Sequence, residues 1–364
     1  LHIVTGPDRH VWLEKASDPV TSPAFRELLG AETIRDDALF NSALVSFGSF
    51  GFVHSVLIEV EPIFLLEEEF TPVAYDEGLE RAIRFGDFSG VADRLRYDLD
   101  TINSKLYHLE MAINPHHFER DDPEKGVYLR VLYKQPYRQD YLHIPPQDQG
   151  YTYGDDTLGL IQLVLDTVEK VPGNFSDKFI IPKTVNSLFN LAFNRPETNF
   201  GTIGQIFRNT RFRGKLFSAA YAFNRQDIPR VIDLILELNR DLPFAGVIAM
   251  RFLKGTQATL GFTYFPQTCV LELDGVNIVV NQRFVESFTL RLEQGNIPYA
   301  IHWGKINKVL NRERVRHIYG DERVDQWLRH RHRLLEPDTM EVFNNEFLHR
   351  CGLDEVVTVV DGPV

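Results

Sequence analysis

Between Gly246 and Asp274 the chain alternates apolar residues with others in three short runs: Gly246–Leu253, Thr259–Tyr264 and Thr268–Asp274. A period of two sends successive side chains to opposite faces, so such runs read as strands. Runs this close in sequence pair antiparallel, because parallel neighbours need a long crossover. The same alternation marks Lys105–Ile113 and Val127–Tyr133, joined by a polar loop holding Asn114-Pro115 and Asp121-Asp122-Pro123. Helical patterning marks Tyr75–Arg84, Asp155–Lys170, Lys183–Phe193, Ile228–Leu238 and Phe284–Gln294, then Glu313–Tyr319, Glu322–Leu334 and Met340–Leu348. The fold class is therefore α+β, an antiparallel sheet flanked by helices. Tyr137–Tyr153, rich in Pro, Gln, Gly and Tyr, reads as a long loop.

The first residues carry smaller elements. Leu1–Val4 and Val11–Lys15 read as strands around a Gly6-Pro7-Asp8-Arg9 turn. Ser22-Pro23 opens a helix through Leu29, and Asp36–Leu44 reads as another. Gly48-Ser49-Phe50-Gly51 then leads into an alternating run that reads as a strand to Val60 and stops at Pro62.

Composition excludes several classes. The net charge of −12 argues against nucleic acid, which needs clustered Lys and Arg. No apolar run reaches the ~18–20 residues of a membrane span. Cys269 and Cys351 are too few for a disulfide framework or a zinc site and read as reduced thiols. His116-His117 on a loop reads as solvated rather than metal-binding, and Arg329–Arg333 as a solvated helix face. Twenty-seven Phe suggest broad aromatic-lined surfaces inside.

Two pieces carry the chemistry. The turn Gly48-Ser49-Phe50-Gly51 runs into Phe52-Val53-His54, and glycine lets a ligand lie close to the backbone. Ile301-His302-Trp303-Gly304-Lys305-Ile306-Asn307 offers a flat aromatic, a close-approach glycine and a cation, a set suited to a flat, electron-rich ring. Together these pieces resemble the FAD-linked oxidases of the vanillyl-alcohol oxidase type, closest to the branch of aldonolactone oxidases, alditol oxidase and covalent cholesterol oxidase. His54 stands where that family usually has Thr.

The resemblance implies FAD as cofactor. It implies flavin contacts at Gly48, Ser49, Gly51, Phe52 and Val53, and at His302, Trp303, Gly304 and Asn307. It also implies that Lys305 lies beside the isoalloxazine. The pyrophosphate loop and flavin-attaching His of the family lie upstream of this region, so the chain reads as the C-terminal part of a two-lobed oxidase. The expected division is 1–62 for the end of the FAD-binding domain, 63–298 for a substrate-binding domain, and 299–364 for a segment returning to the flavin. A separate chain carrying the N-terminal part is one expected partner. With no signal peptide in view, a cytoplasmic location is expected.

Two strand charges complete the candidate site. Arg251 stands among apolar neighbours, where a charge needs a partner. The resembling family has Glu-x-Arg on this strand, whereas this chain has Ala249-Met250-Arg251. Glu272 shares a face with Val270 and Asp274. It reads as a base or as the partner of Arg251, on the same face. The resemblance implies oxidation of an alcohol-type carbon by hydride transfer to flavin N5, with oxygen as acceptor. Missing Glu and abundant Phe point to a hydrophobic alcohol. The alternatives are a flavin-free scaffold without catalysis and an aldonolactone dehydrogenase using another acceptor.

Overall fold

The computed structural model describes residues 1–142, 178–186, 199–207 and 215–356. The chain folds as two compact units. One comprises Leu1–Glu61, Gly255–Tyr264 and Lys308–Val364; the other comprises Pro62–Lys254 and Phe265–Asn307. The expected helix Asp155–Lys170, most of the Tyr137–Tyr153 loop and the end of the Lys183–Phe193 helix lie outside the described residues. Residues 178–186 are helical.

The first unit holds a four-stranded sheet of order β3-β2-β1-β4. Its strands are β1 (His2–Gly6), β2 (Arg9–Glu14), β3 (Glu32–Arg35) and β4 (Phe52–Ser55). Helix Pro23–Leu29 starts as the sequence predicts: Ser22 caps it and proline takes the first turn. Asp36 caps helix Asp37–Ala43 in the same way. The strand expected to run to Val60 ends at Ser55. The register pairs His2 with Ser55, and among the described residues no strand pairs with 56–60. Alternation alone does not make a strand without a neighbour to hydrogen-bond. Val56, Leu57, Ile58 and Val60 are consequently exposed.

The second unit is a mixed helix-and-sheet body around an eight-stranded antiparallel sheet, order β12-β9-β11-β10-β6-β7-β5-β8. These strands are β5 (Phe64–Val73), β6 (Leu106–Ile113), β7 (Val127–Pro136), β8 (Asn199–Gly201), β9 (Leu216–Asn224), β10 (Gly246–Lys254), β11 (Gln267–Val276) and β12 (Ala300–Ile301). Thr259–Tyr264, expected as the middle strand of a meander, is a turn. Gly261 closes back on Ala258, and Thr259 N donates to Asn41 O within the first unit. β10 and β11 therefore pair directly, Ala249 opposite Glu272.

Helices Ile228–Asp241 and Val279–Gln294 cover one face of this sheet. Their buried stripes include Val231, Ile235 and Leu238, and Phe284, Phe288 and Leu292. Odd-numbered residues of β9 meet them. Tyr221 stacks edge-on against Phe288 at 5.0 Å, and its hydroxyl lies 2.8 Å from Thr289 Oγ1. Phe217 packs on Phe244, and Phe244 on Phe284. Much of the Phe load is thus absorbed in this helix–sheet core, on the face away from Glu272. Cys269 and Cys351 are buried free thiols.

Candidate functional site

The other face of the large sheet is built by the opposite set of alternating positions. Ala220 on β9 and Ala249 on β10 flank Glu272 directly across the strands. Arg251 lies opposite Glu110 of β6, and Glu110 opposite Arg130 of β7. Glu68 of β5 lies opposite Asn199 of β8. Directly opposed residues share a face, so one side of the sheet carries a row of alternating charges.

Contacts follow that row. Lys305 Nζ donates to Glu272 Oε1 at 2.5 Å, and Arg251 Nη1 donates to Glu272 Oε2. Arg251 Nη2 donates to Glu110 Oε1 at 3.3 Å, and Arg130 Nη1 to Glu110 Oε2 at 3.3 Å. Arg130 Nε donates to Glu68 Oε1 at 2.6 Å, and Asn199 Nδ2 to Glu68 Oε2 at 2.7 Å. Glu272 is 7% exposed, and these two cations are the partners its buried carboxylate requires. Burial alone would push the Glu110 carboxyl up; instead its partners bring it down to about 2. His108 Nε2 is 3.7 Å away, longer than a hydrogen bond, so the guanidiniums of Arg251 and Arg130 carry most of that effect.

Lys305 reaches Glu272 because main-chain bonds staple its segment to β9. His302 N donates to Ala220 O at 2.9 Å, and Ile306 N to Ser218 O at 3.0 Å. Gly304 N donates to His302 Nδ1 at 3.0 Å, and Asn307 Nδ2 to Trp303 O. Beside Lys305, at 4.0 Å, stands Asp274, which accepts from Ser218 Oγ at 2.5 Å. Burial raises the Asp274 carboxyl above its ordinary range, with Lys305 opposing and Glu272 adding to the rise. Burial, then the charge of Lys305, lowers His302.

The structure thus brings Lys305, Glu272 and Arg251 together on one face, with His302, Trp303, Gly304 and Asn307 in the adjoining turn. Gly48, Ser49, Gly51, Phe52 and Val53 belong to the first unit. There Gly51 has φ +104°, and a Cβ would lie 2.5 Å from Val4 O. The absence of a side chain at 51 is therefore required by the neighbouring strand itself. Gly48, at φ +70°, has nothing within 4 Å of a built Cβ. Gly304 meets only the His302 ring, at 3.4 Å.

These are the residues to test against a flavin. In the second unit, open backbone at Gly304 and the Lys305 donors suit a flat ring with a carbonyl edge. In the first unit, taken by itself, Gly48 has open backbone and Phe52 and Val53 are exposed.

Two expectations are corrected. Arg331, within the stretch expected to be solvated, is 1% exposed. Its Nε donates to Ser49 O at 2.9 Å, and its Nη2 donates to Met340 O and Asn344 Oδ1. It therefore pins the Gly48–Gly51 turn. His116 is half-buried rather than solvated. It accepts at Nδ1 from Asn239 Nδ2 and donates from Nε2 to Phe244 O. Among the described residues no group of three His, Cys, Asp or Glu is placed to hold a metal.

Sequence reasoning missed Glu110, Arg130 and Glu68. Glu110 and Arg130 each carried a signal, a charge inside an apolar strand, as in Leu109-Glu110-Met111 and Leu129-Arg130-Val131; Glu68, in the run Glu67-Glu68-Glu69, did not. No helix among the described residues is long and apolar enough to cross a membrane.

No protein-family model and no curated protein matches the chain. Among solved structures it is similar to xylooligosaccharide oxidase from Myceliophthora thermophila C1 in complex with xylobiose, at TM-score 0.47 and 11% identity over 87% of this chain and 61% of that one. A VAO-type flavoprotein from the same source has TM-score 0.46 and 10% identity over 93% of this chain and 54% of that one. A chitooligosaccharide oxidase has TM-score 0.39 and 9% identity over 79% and 55%. The chain spans between 54% and 61% of the length of these proteins.

Proposed function

We propose that this chain supplies the substrate-facing sheet of an FAD-dependent oxidoreductase that oxidises an alcohol-type carbon, with oxygen as the electron acceptor. One observation carries the reading. Lys305, singled out by the His302–Lys305 resemblance, and Arg251, singled out as a charge in an apolar strand, bind the two oxygens of the same carboxylate, Glu272.

The roles follow from the charges. Glu272, bonded to two cations, accepts the hydroxyl proton as the C–H bond is broken. Lys305 has three donors, so after bonding Glu272 it retains others for a developing negative charge. Arg251 holds Glu272 from the far side and keeps it from swinging away. A bound flavin would supply the two-electron acceptor; within the second unit, His302–Asn307 is the segment proposed to hold it.

The test is spectroscopic. The protein isolated from its natural source, with any companion chain, should show flavin bands that bleach on anaerobic mixing with some member of a panel of alcohols. A colourless preparation would favour the scaffold alternative. Bleaching that oxygen does not reverse, but a dye does, would favour a dehydrogenase.

A further inference from the structure

We propose that Glu110 is a positioning residue for Glu272: through the fork of Arg251 it sets how much guanidinium charge Glu272 receives, and Arg130 in turn holds Glu110. This deepens the reading of Glu272 as the proton acceptor and rests on it for its functional meaning.

The argument is geometric. A guanidinium is planar, with donors in a fixed fork, so where one arm bonds constrains the other. Arg251 places Nη1 on Glu272 and Nη2 on Glu110, 3.3 Å away. Glu110 gives Oε1 to Arg251 and Oε2 to Arg130. Arg130 cannot easily follow a moving Glu110, because Nε is held by Glu68 at 2.6 Å and Nη2 by Ile206 O at 3.1 Å. Directly opposed positions on neighbouring strands fix the spacing of these groups. The row is therefore anchored at its far end and delivers one guanidinium arm to Glu272.

The charged and titratable groups around each member are few. Glu272 is faced by Arg251, Lys305, Asp274 and His302. Glu110 is faced by Arg251, Arg130 and His108. Arg130 is faced by Glu110 and Glu68. Neutralising Glu110 leaves Arg251 to Glu272 alone, so Glu272 keeps its charge to lower pH. Removing Arg130 leaves Glu110 with Arg251 as its remaining guanidinium and draws Arg251 away from Glu272. Glu272 then takes up a proton at higher pH. The two changes act with opposite sign.

The test needs no flavin, so its outcome is separate from that of the oxidase reading, which stands or falls on bleaching by alcohols. The full 364-residue chain, carrying carboxyl-labelled glutamate, is titrated by NMR as wild type, Glu110→Gln, Arg130→Met and Arg130→Lys; Glu272→Gln assigns the signal. Glu110→Gln should move the Glu272 titration down, and Arg130→Met should move it up, each by about 0.5–1 pH unit. Arg130→Lys should move it less than Arg130→Met. In an Arg251→Met background both shifts should largely vanish. Shifts that persist there would mean a simple field effect and would overturn the positioning role, as would shifts of the same sign or none. If Arg251→Met does not fold, Arg251→Lys, which keeps the charge but lacks the fork, takes its place.

Discussion

Lys305 Nζ and Glu272 Oε1 lie 2.5 Å apart, although 33 residues separate them in the chain. A two-residue strand, β12, makes this possible: its pairing with β9 brings the turn after it against the face where Glu272 stands. In the flavin-loaded protein, Lys305→Met should slow flavin reduction by about 10²-fold, as for loss of one preorganised donor to a developing charge. It should also weaken a sulfite adduct. Unchanged reduction in stopped-flow traces would rule out this role for Lys305.

Arg251 and Glu272 should behave as a partly buried pair. Glu272 is almost fully buried, while the Arg251 side chain is 35% exposed. Arg251→Ala should therefore lower stability by about 2 kcal/mol, less than a fully buried pair would lose. Arg291, paired with exposed Glu237, is the control, and Arg291→Ala should cost under about 1 kcal/mol. Equal midpoints in urea for the two variants would contradict the burial argument.

Acid should loosen both units, each through one carboxylate. Burial pushes Glu14 up, but bonds from Arg35, Thr21 and Trp12 bring it down to about 2. Glu110 is likewise at about 2. A folded value below the unfolded one of 4.5 means stability that is full above pH 4.5 and lost as pH falls towards 2. For Glu110 that contribution is about 3 kcal/mol. Denaturant midpoints measured down this pH range should fall for wild type and fall less steeply for Glu110→Gln. Parallel slopes would contradict the assignment.

Arg331 should matter to the turn it pins. Arg331→Met strips the carbonyls of Ser49 and Met340 of their donor inside a buried site, at a cost of about 3 kcal/mol. Gly51→Ala forces a Cβ against Val4 O and should destabilise the same unit. Limited proteolysis near Gly48–Gly51 reports both; wild-type cleavage rates in Arg331→Met would show that the anchor is dispensable.

Local patterning carried part of the fold; β5 and β9, two long strands of the large sheet, were not read as strands. Capped helices and isolated strands, such as Pro23–Leu29 and Val127–Pro136, were legible because their signals lie within the segment. Failures came where structure depends on a partner elsewhere. Val56–Val60 alternates like a strand but has no neighbour among the described residues. Thr259–Tyr264 alternates too, yet its backbone is committed to a turn and to Asn41. Arg331 sits in a run of charges, and only the packing of its helix shows that this one points inward. That Arg251 and Glu272 share a face was expected, though with a strand between them; their direct contact follows from β10 pairing with β11. Glu110 was not expected, because its relevance comes from strand order, which no local pattern encodes.

Flavin reduction in Glu272→Gln, compared with wild type under anaerobic alcohol, tests the central claim most directly. The substitution keeps the size and a hydrogen-bond acceptor but removes the charge that takes the proton. Reduction should slow by about 10²–10⁴-fold and lose the acid limb of its pH profile, while flavin binding remains. Reduction at the wild-type rate, with the same pH profile, would contradict the account.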